Sequence, residues 1–234
     1  MGSYVLIHGA WSGAFRWKFV RPLLWAAGHE VYTPSLTGLG DRMHLGGPTV
    51  NLSTHIDDIL NLVEFEELHD IVLVGHSYGG MPITGAADRI PERIAHLVYV
   101  DAFLPSDGQS CWDLGGGGAR PAEGEWRVPP MQPAQEQAAS VRRPDQPAGT
   151  LAEPVRLTTP LEQRAFSRTY IKATADPRPE PPRRSPFYEA ADRVSKDPAW
   201  RSIELPAGHA IPWTHSKELA DILLALQENP PITR

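Results

Sequence analysis

Residues 71–81 read Ile-Val-Leu-Val-Gly-His-Ser-Tyr-Gly-Gly-Met. Four consecutive apolar residues, three of them β-branched, predict a strand buried on both faces, and Met81–Ile90 carries the periodicity of a helix. Between them stands Gly75-His76-Ser77-Tyr78-Gly79, the Gly-x-Ser-x-Gly spacing. At a strand-to-helix corner that spacing has a steric meaning. Neighbouring chain passes so close to the turn that the flanking positions must be nearly free of side chain, and the serine takes a strained conformation that lifts its hydroxyl above the carboxyl edge of the sheet. The N–H groups that open the next helix point at the same spot, where they can stabilise developing negative charge.

Outward from this corner, 3–8 and 95–101 repeat the buried run, and weaker runs stand at 30–34, 168–174 and 202–205. Phe15–Ala27, Ser53–Leu68 and Ser216–Gln227 read as further helices, with Gly28 and Ser53 as caps. The alternation predicts an α/β fold with a mostly parallel sheet of about six strands flanked by helices. The pattern breaks between Pro105 and about Pro186, a stretch that holds 14 of the 24 prolines together with Gly115-Gly116-Gly117-Gly118. We therefore expect a single domain, 1–234, with a Pro/Gly-rich cap insertion at 105–186.

Composition excludes several classes. The 22 basic and 28 acidic residues give a net charge of −6 with neither sign gathered into a block, so the basic footprint of a nucleic-acid binder is missing. Cys111 is the only cysteine, which rules out an intrachain disulfide and the usual Cys-x-x-Cys zinc site; no metal or cofactor is expected. The N-terminal residues lack the basic region of a signal peptide, and Leu6 stands where a myristoylation signal wants Ser or Thr. No apolar run reaches the roughly 18 residues of a membrane span. The expectation is a cytoplasmic protein acting on a small molecule, without a membrane or nucleic-acid partner.

The chemistry follows from the corner. Ser77 is the candidate nucleophile, and two backbone N–H groups would form an oxyanion hole, from Tyr78 after the serine and from Ala10 in the first strand's loop, His8-Gly9-Ala10-Trp11. Chains built this way order the triad as serine, acid, histidine, and of nine histidines only His96, His209 and His215 lie downstream of Ser77. His96 falls inside a strand, whereas His209 follows the last strand and is the candidate base, with His215 as the alternative. Two acids qualify, Asp101 at the end of one strand and Asp176 after the next; either could orient the imidazole.

His8-Gly9-Ala10-Trp11, Thr37-Gly38-Leu39-Gly40-Asp41-Arg42 with His44-Leu45, the corner itself, and Asp101-Ala102-Phe103-Leu104-Pro105 together resemble the small bacterial α/β-hydrolase-fold esterases related to the plant methylesterase and hydroxynitrile lyase group. The likeness spans roughly 3–110 and 165–228, and 111–160 matches poorly. The resemblance implies that the Asp-Ala-Phe-x-Pro segment carries the acid, favouring Asp101, while the plant members keep an acid after the later strand and so leave Asp176 as the alternative. It also separates chemistries. Hydroxynitrile lyases of this group place Thr where Gly9 stands and Lys where Ala210 stands, and dehalogenases and epoxide hydrolases of the fold use Asp at the elbow. Ala210-Ile211-Pro212-Trp213 and Ser216 depart from the family pattern around the base.

The expected activity is hydrolysis of a small carboxylic ester, lactone or thioester through an acyl-serine intermediate. The alternatives are a natural-product tailoring acyl transferase or cyclase on the same triad, and a ligand-binding protein without turnover. Trp11, Phe103, Trp112 and Trp126 are the expected substrate wall, and Cys111 is a further candidate as a reactive thiol.

Overall fold

The computed structural model describes residues 2–130, 143–176, 179 and 185–228. In chain order the elements are β1 (Ser3–Ile7), α1 (Arg21–Ala26), β2 (Glu30–Tyr32), α2 (Leu52–Phe65), β3 (Ile71–His76), α3 (Gly80–Arg89), β4 (Ile94–Val100), β5 (Arg127–Val128), β6 (Gln146–Pro147), α4 (Ala148–Ala152), β7 (Ser167–Ala173), α5 (Pro186–Val194), β8 (Arg201–Leu205), α6 (Ile211–Thr214) and α7 (Ser216–Glu228). Six strands form one sheet in the order β2-β1-β3-β4-β7-β8, and every neighbouring pair is parallel. The chain winds outward from β1 to β2, then crosses back and winds the other way from β3. Loops after β1 and β3 therefore diverge and leave a crevice at the carboxyl ends of those strands, the usual place for a ligand in such a sheet.

Alternation along the strands builds two cores. Val5, Ile7, Ile71, Leu73, Leu97 and Tyr99 face α2, α3 and the cap; Tyr4, Leu6, Val72, Val74, Val98 and Val100 face α1 and α7. Because both faces are covered, the central strands read as continuous apolar runs. Burying each Val, Leu or Ile contributes about 1.5–3 kcal/mol. α3 is buried from Gly80 through Asp88, so the helix that follows the corner is held on all sides.

Two local expectations are corrected. The helix expected over Phe15–Ala27 is a 3-10 turn at Ala14–Trp17 followed by α1, whose start is set by Pro22 in its first turn; Gly28 does end it, at φ 85°. The cap of α2 is Asn51 rather than Ser53: Asn51 accepts from the Thr54 N–H while Thr54 accepts from the Asn51 N–H. Ser53 instead donates from its hydroxyl and its N–H to Glu153, which ties α2 to the segment after α4.

The stretch 105–186 is not all outside the sheet, because β7 lies within it. The remainder includes a two-stranded antiparallel ribbon, β5 with β6, that runs into α4. Asp88 at the end of α3 anchors the return to β7, accepting from Thr158 and pairing with Arg164. Residues 131–142, 177–178 and 180–184 of the expected cap lie outside the described residues. No helix among the described residues is long and apolar enough to cross a membrane.

Two buried histidines pin the loops around the crevice. His8 donates from Nδ1 to the Gly9 carbonyl and accepts at Nε2 from the Leu36 N–H; His55 donates from Nε2 to the Thr37 carbonyl and accepts at Nδ1 from the Tyr78 hydroxyl. Both rings are neutral in this arrangement, and burial pushes each down to about 4. The unfolded chain binds these protons near pH 6.5 and the folded chain does not, so the stability they confer is complete above pH 6.5 and is lost as pH falls toward 4. Urea unfolding at pH 7.5, 6 and 5 should show a plateau above 6.5 and then a fall of up to about 3 kcal/mol per pH unit from the pair; a flat profile to pH 4.5 would contradict it.

Candidate active site

The turn after β3 puts Ser77 at φ 55°, a left-handed conformation that a non-glycine residue holds only when its surroundings enforce it. A Cβ on Gly75 would lie 2.6 Å from the Gly79 carbonyl oxygen, and one on Gly79 would lie 2.6 Å from that of Ile7. Both are inside van der Waals contact, so these two glycines are steric necessities of the corner. Of the five described non-glycine residues at positive φ, three stand at this site: Trp11, Ser77 and Asp101.

Three side chains converge there. His209, in the loop between β8 and α6, places Nε2 3.0 Å from Ser77 Oγ and Nδ1 2.6 Å from Asp101 Oδ2. A carboxylate only accepts, so the proton sits on Nδ1 and the Nε2 lone pair faces the serine hydroxyl. Asp101, one residue beyond β4, is 2% exposed. Its other oxygen, Oδ1, accepts from Lys172 Nζ at 2.7 Å and from the Ala173 N–H at 3.3 Å. Burial opposes ionisation of Asp101, but the hydrogen bonds and charges of His209 and Lys172 outweigh it and hold the carboxyl below the usual carboxylate range. Asp176, the other candidate acid, does not reach the imidazole: its Oδ2 accepts from the backbone N–H of His209 at 2.8 Å. It holds the loop, while Asp101 holds the ring.

The imidazole is also fixed in plane. Phe187, at the start of α5, stacks on His209 with centroids 4.8 Å apart, and His76 packs on it at 4.9 Å. His76 donates from Nε2 to the His209 carbonyl; burial, then the charge of His209, pushes this ring well below the usual imidazole range, and a neutral His76 keeps a second cation away from the base.

A cavity of about 620 Å³ opens over these groups, lined by Gly9, Ala10 and Trp11 from the first loop, by His76, Ser77 and Tyr78, and by Phe103, Phe187, Leu151 and Gly115–Gly117. Of the expected aromatic wall, Trp11 and Phe103 line it. Trp112 and Trp126 do not: Trp112 packs by Gly117 under the Arg120 guanidinium, and Trp126 lies against Gly46 with Arg127 over its ring. Cys111 lines the cavity, but burial pushes its thiol up to about 12, which disfavours the thiolate that a nucleophilic cysteine needs. Among the described residues no group of three or more His, Cys, Asp or Glu could hold a metal ion.

Sequence reading missed Lys172, Phe187, His76, Arg16 and Arg143 as residues of the site or its walls. Only Lys172 carried a signal: a cation inside the apolar run Tyr170-Ile171-Lys172-Ala173 must find a buried partner. Removing it alone would take the cationic side chain from Oδ1 of the buried Asp101 carboxylate and leave that oxygen to the Ala173 N–H.

With this geometry in hand, three comparisons bear on the chain. The Alpha/beta hydrolase family matches residues 4–222. The carbendazim hydrolyzing esterase of Nocardioides sp. (strain SG-4G) is 38% identical over 252 aligned residues, covering 97% of this chain and all of that protein. Methylesterase 9 of Arabidopsis thaliana is 38% identical over 106 residues, 45% of this chain and 41% of its own length. Among solved structures, an extracellular alpha/beta-hydrolase from a Paenibacillus species, described as sharing structural and functional homology with tobacco Salicylic Acid Binding Protein 2, superposes with a TM-score of 0.78 at 26% identity, covering 96% of this chain and 98% of that one.

The two acids are separable by mutation. In Asp101→Asn the amide oxygen stays with its donors, Lys172 and the Ala173 N–H, so the NH₂ turns to His209 and forces the proton onto Nε2, where the ring cannot accept from Ser77. Turnover of an activated ester should fall by about 10⁴-fold. Asp176→Asn keeps an acceptor for the His209 N–H and should change turnover less than about tenfold. Steady-state kinetics of both variants checks this; the reverse pattern would move the orienting role to Asp176.

Proposed function

Because the chain belongs to the Alpha/beta hydrolase family, we propose that it is a serine-dependent carboxylic ester hydrolase working through an acyl-serine intermediate, with Ser77 as nucleophile, His209 as base and Asp101 as the orienting acid. The observation that carries this reading is the unbroken chain from Ser77 Oγ through the His209 imidazole to the Asp101 carboxylate, 3.0 Å and 2.6 Å at its two links.

Attack of Ser77 Oγ on the ester carbonyl transfers its proton to His209 Nε2, and Asp101 stabilises the imidazolium that results. The carbonyl oxygen becomes an oxyanion held by the Ala10 and Tyr78 N–H groups, two donors whose residues line the cavity on either side of the serine; losing one such donor typically costs about 10²–10³-fold in turnover. Collapse of the intermediate breaks the C–O bond, and the alcohol leaves with the proton from His209. Water then repeats the sequence: His209 takes its proton, hydroxide adds to the acyl carbon, and Ser77 leaves reprotonated with the acid as product. The side chain of His209 is 40% exposed, which supports entry of that water at the base.

Trp11, Phe103, Phe187 and Leu151 give the cavity an apolar wall, which fits a small ester with an apolar or aromatic group. The full-length similarity to an esterase supports the reaction class. Ala210 directly after the base supports hydrolysis over cyanohydrin cleavage, because no lysine ammonium stands there to take up a cyanide anion.

Intact mass after treatment with a fluorophosphonate, alongside p-nitrophenyl acetate turnover, tests the assignment. A single adduct and a turnover that both vanish in Ser77→Ala are expected; a folded wild-type protein that takes up no adduct would sink it.

A further inference from the structure

Gln146 belongs to the cap, far in sequence from the serine and the histidine, yet it is fully buried. Its side-chain Oε1 accepts from the backbone N–H of Trp11 at 3.0 Å, and its Nε2 donates to Thr150 Oγ1, which in turn donates to the Pro147 carbonyl. Every polar atom of the carboxamide thus points at a fixed partner, and the amide orientation is set by the two donor and acceptor roles. The other end of Trp11 is held from the same ribbon: its indole Nε1 donates to the Val128 carbonyl at 2.8 Å. Val128 and Gln146 are directly paired across β5 and β6. One cross-strand pair of the cap therefore grips Trp11 by its backbone and by its ring.

That grip falls where the first loop is strained. Trp11 sits at φ 52°, a left-handed conformation that a bulky residue leaves unless its surroundings hold it. The residue before it, Ala10, lines the cavity and carries one of the two N–H groups assigned above to the oxyanion, and Gly9 lies so close to Ser77 that a Cβ there would stand 2.9 Å from the serine Cβ. Little slack separates the loop from the nucleophile, so fixing the Ala10–Trp11 peptide at the Trp11 N–H limits how far the adjoining Gly9–Ala10 peptide, which carries the Ala10 N–H, can turn. Tyr78, which carries the second donor, is braced from behind by its hydroxyl bond to His55, with Thr150 as a further neighbour of the phenol. Segment 146–150 thus backs both arms of the hole.

We propose that Gln146 is a positioning residue for the oxyanion hole, and that docking of the β5–β6 ribbon on the first loop is what completes the site. The inference rests on the ester-hydrolase reading and adds to it a cap that assembles the catalytic geometry as well as walling the cavity. Gln146 touches no reacting atom; it acts through Trp11.

Gln146→Leu keeps the volume and removes the acceptor, leaving the Trp11 N–H buried without a partner. A displaced donor, unlike a deleted one, should lower kcat for p-nitrophenyl acetate by about 10- to 100-fold with KM within about threefold. The affinity of an aryl trifluoromethyl ketone, which forms an oxyanion on the serine, should fall in parallel with kcat/KM. Gln146→Glu, which as the neutral acid both accepts from the Trp11 N–H and donates to Thr150 Oγ1, should recover most of the lost kcat at pH values where that buried carboxyl is protonated and lose it again where it ionises. Amide hydrogen exchange of the peptide covering residues 9–12 reads the clamp without turnover: it should speed by about tenfold or more in the Leu variant while exchange in β3 and α3 stays as in wild type. Unchanged exchange at Trp11, an unchanged kcat, or a loss confined to KM would overturn the proposal, the last by making Gln146 part of the substrate wall. If the wild-type protein hydrolysed no ester, the parent reading would fall, and exchange would still decide whether Gln146 holds the loop.

Discussion

The crossing of two backbones at the corner after β3 is the constraint on which the rest of the molecule depends. Gly79 passes so close to the Ile7 carbonyl, and Gly75 to that of Gly79, that no side chain fits at either position. The contact draws the ends of β1 and β3 together, stands Ser77 at positive φ, and starts α3 in a fully buried position. Both faces of the sheet must then be covered, because a corner this tight survives only on strands and a helix that cannot yield. The two apolar cores supply that rigidity.

Around the corner the decisive physics is electrostatic. A carboxylate buried as deeply as Asp101 is costly unless it is paired and hydrogen-bonded, and it has three partners shared between its two oxygens. Lys172 and the Ala173 N–H satisfy Oδ1, which leaves Oδ2 for the imidazole alone. Against burial, the imidazole and then the ammonium hold the acid's carboxyl below the usual range, while the Tyr188 ring 4.1 Å from Nζ covers the cation's other side. Asp176 holds the histidine's backbone from the next loop. The two acids that compete in the sequence thus divide the task, one on the ring and one on the main chain.

Buried polar contacts also link the outer layer to the centre. Glu153 to α2, Arg164 to Asp88, and Gln146 with Val128 to Trp11 are bonds between the segment after β4 and the core elements, two of them at residues that flank the cavity. Such bonds are costly to leave unmade. The cap is therefore joined to the sheet by groups that lose solvation on docking and regain partners only in one arrangement, which favours one seating over a sliding cover.

The amino-acid sequence by itself determined the parallel sheet, its helices and the corner, because apolar runs, helical periodicity and the glycine spacing are local patterns that each have a single steric solution. It also singled out the histidine after the last strand as the candidate for the base, since chain order is itself one-dimensional information. It misplaced the cap of α2, where Ser53 and Asn51 are both good capping types two residues apart, and it ran α1 through a 3-10 turn because periodicity does not see a break in hydrogen bonding. Only the tertiary structure set Asp101 rather than Asp176 against the His209 imidazole, left Trp112 and Trp126 out of the cavity lining, and joined Lys172, Phe187 and Gln146 to the site. The contacts of Lys172 with Asp101 and of Gln146 with Trp11 join residues 71 and 135 apart, and no local pattern encodes a distance between residues that far apart in the chain.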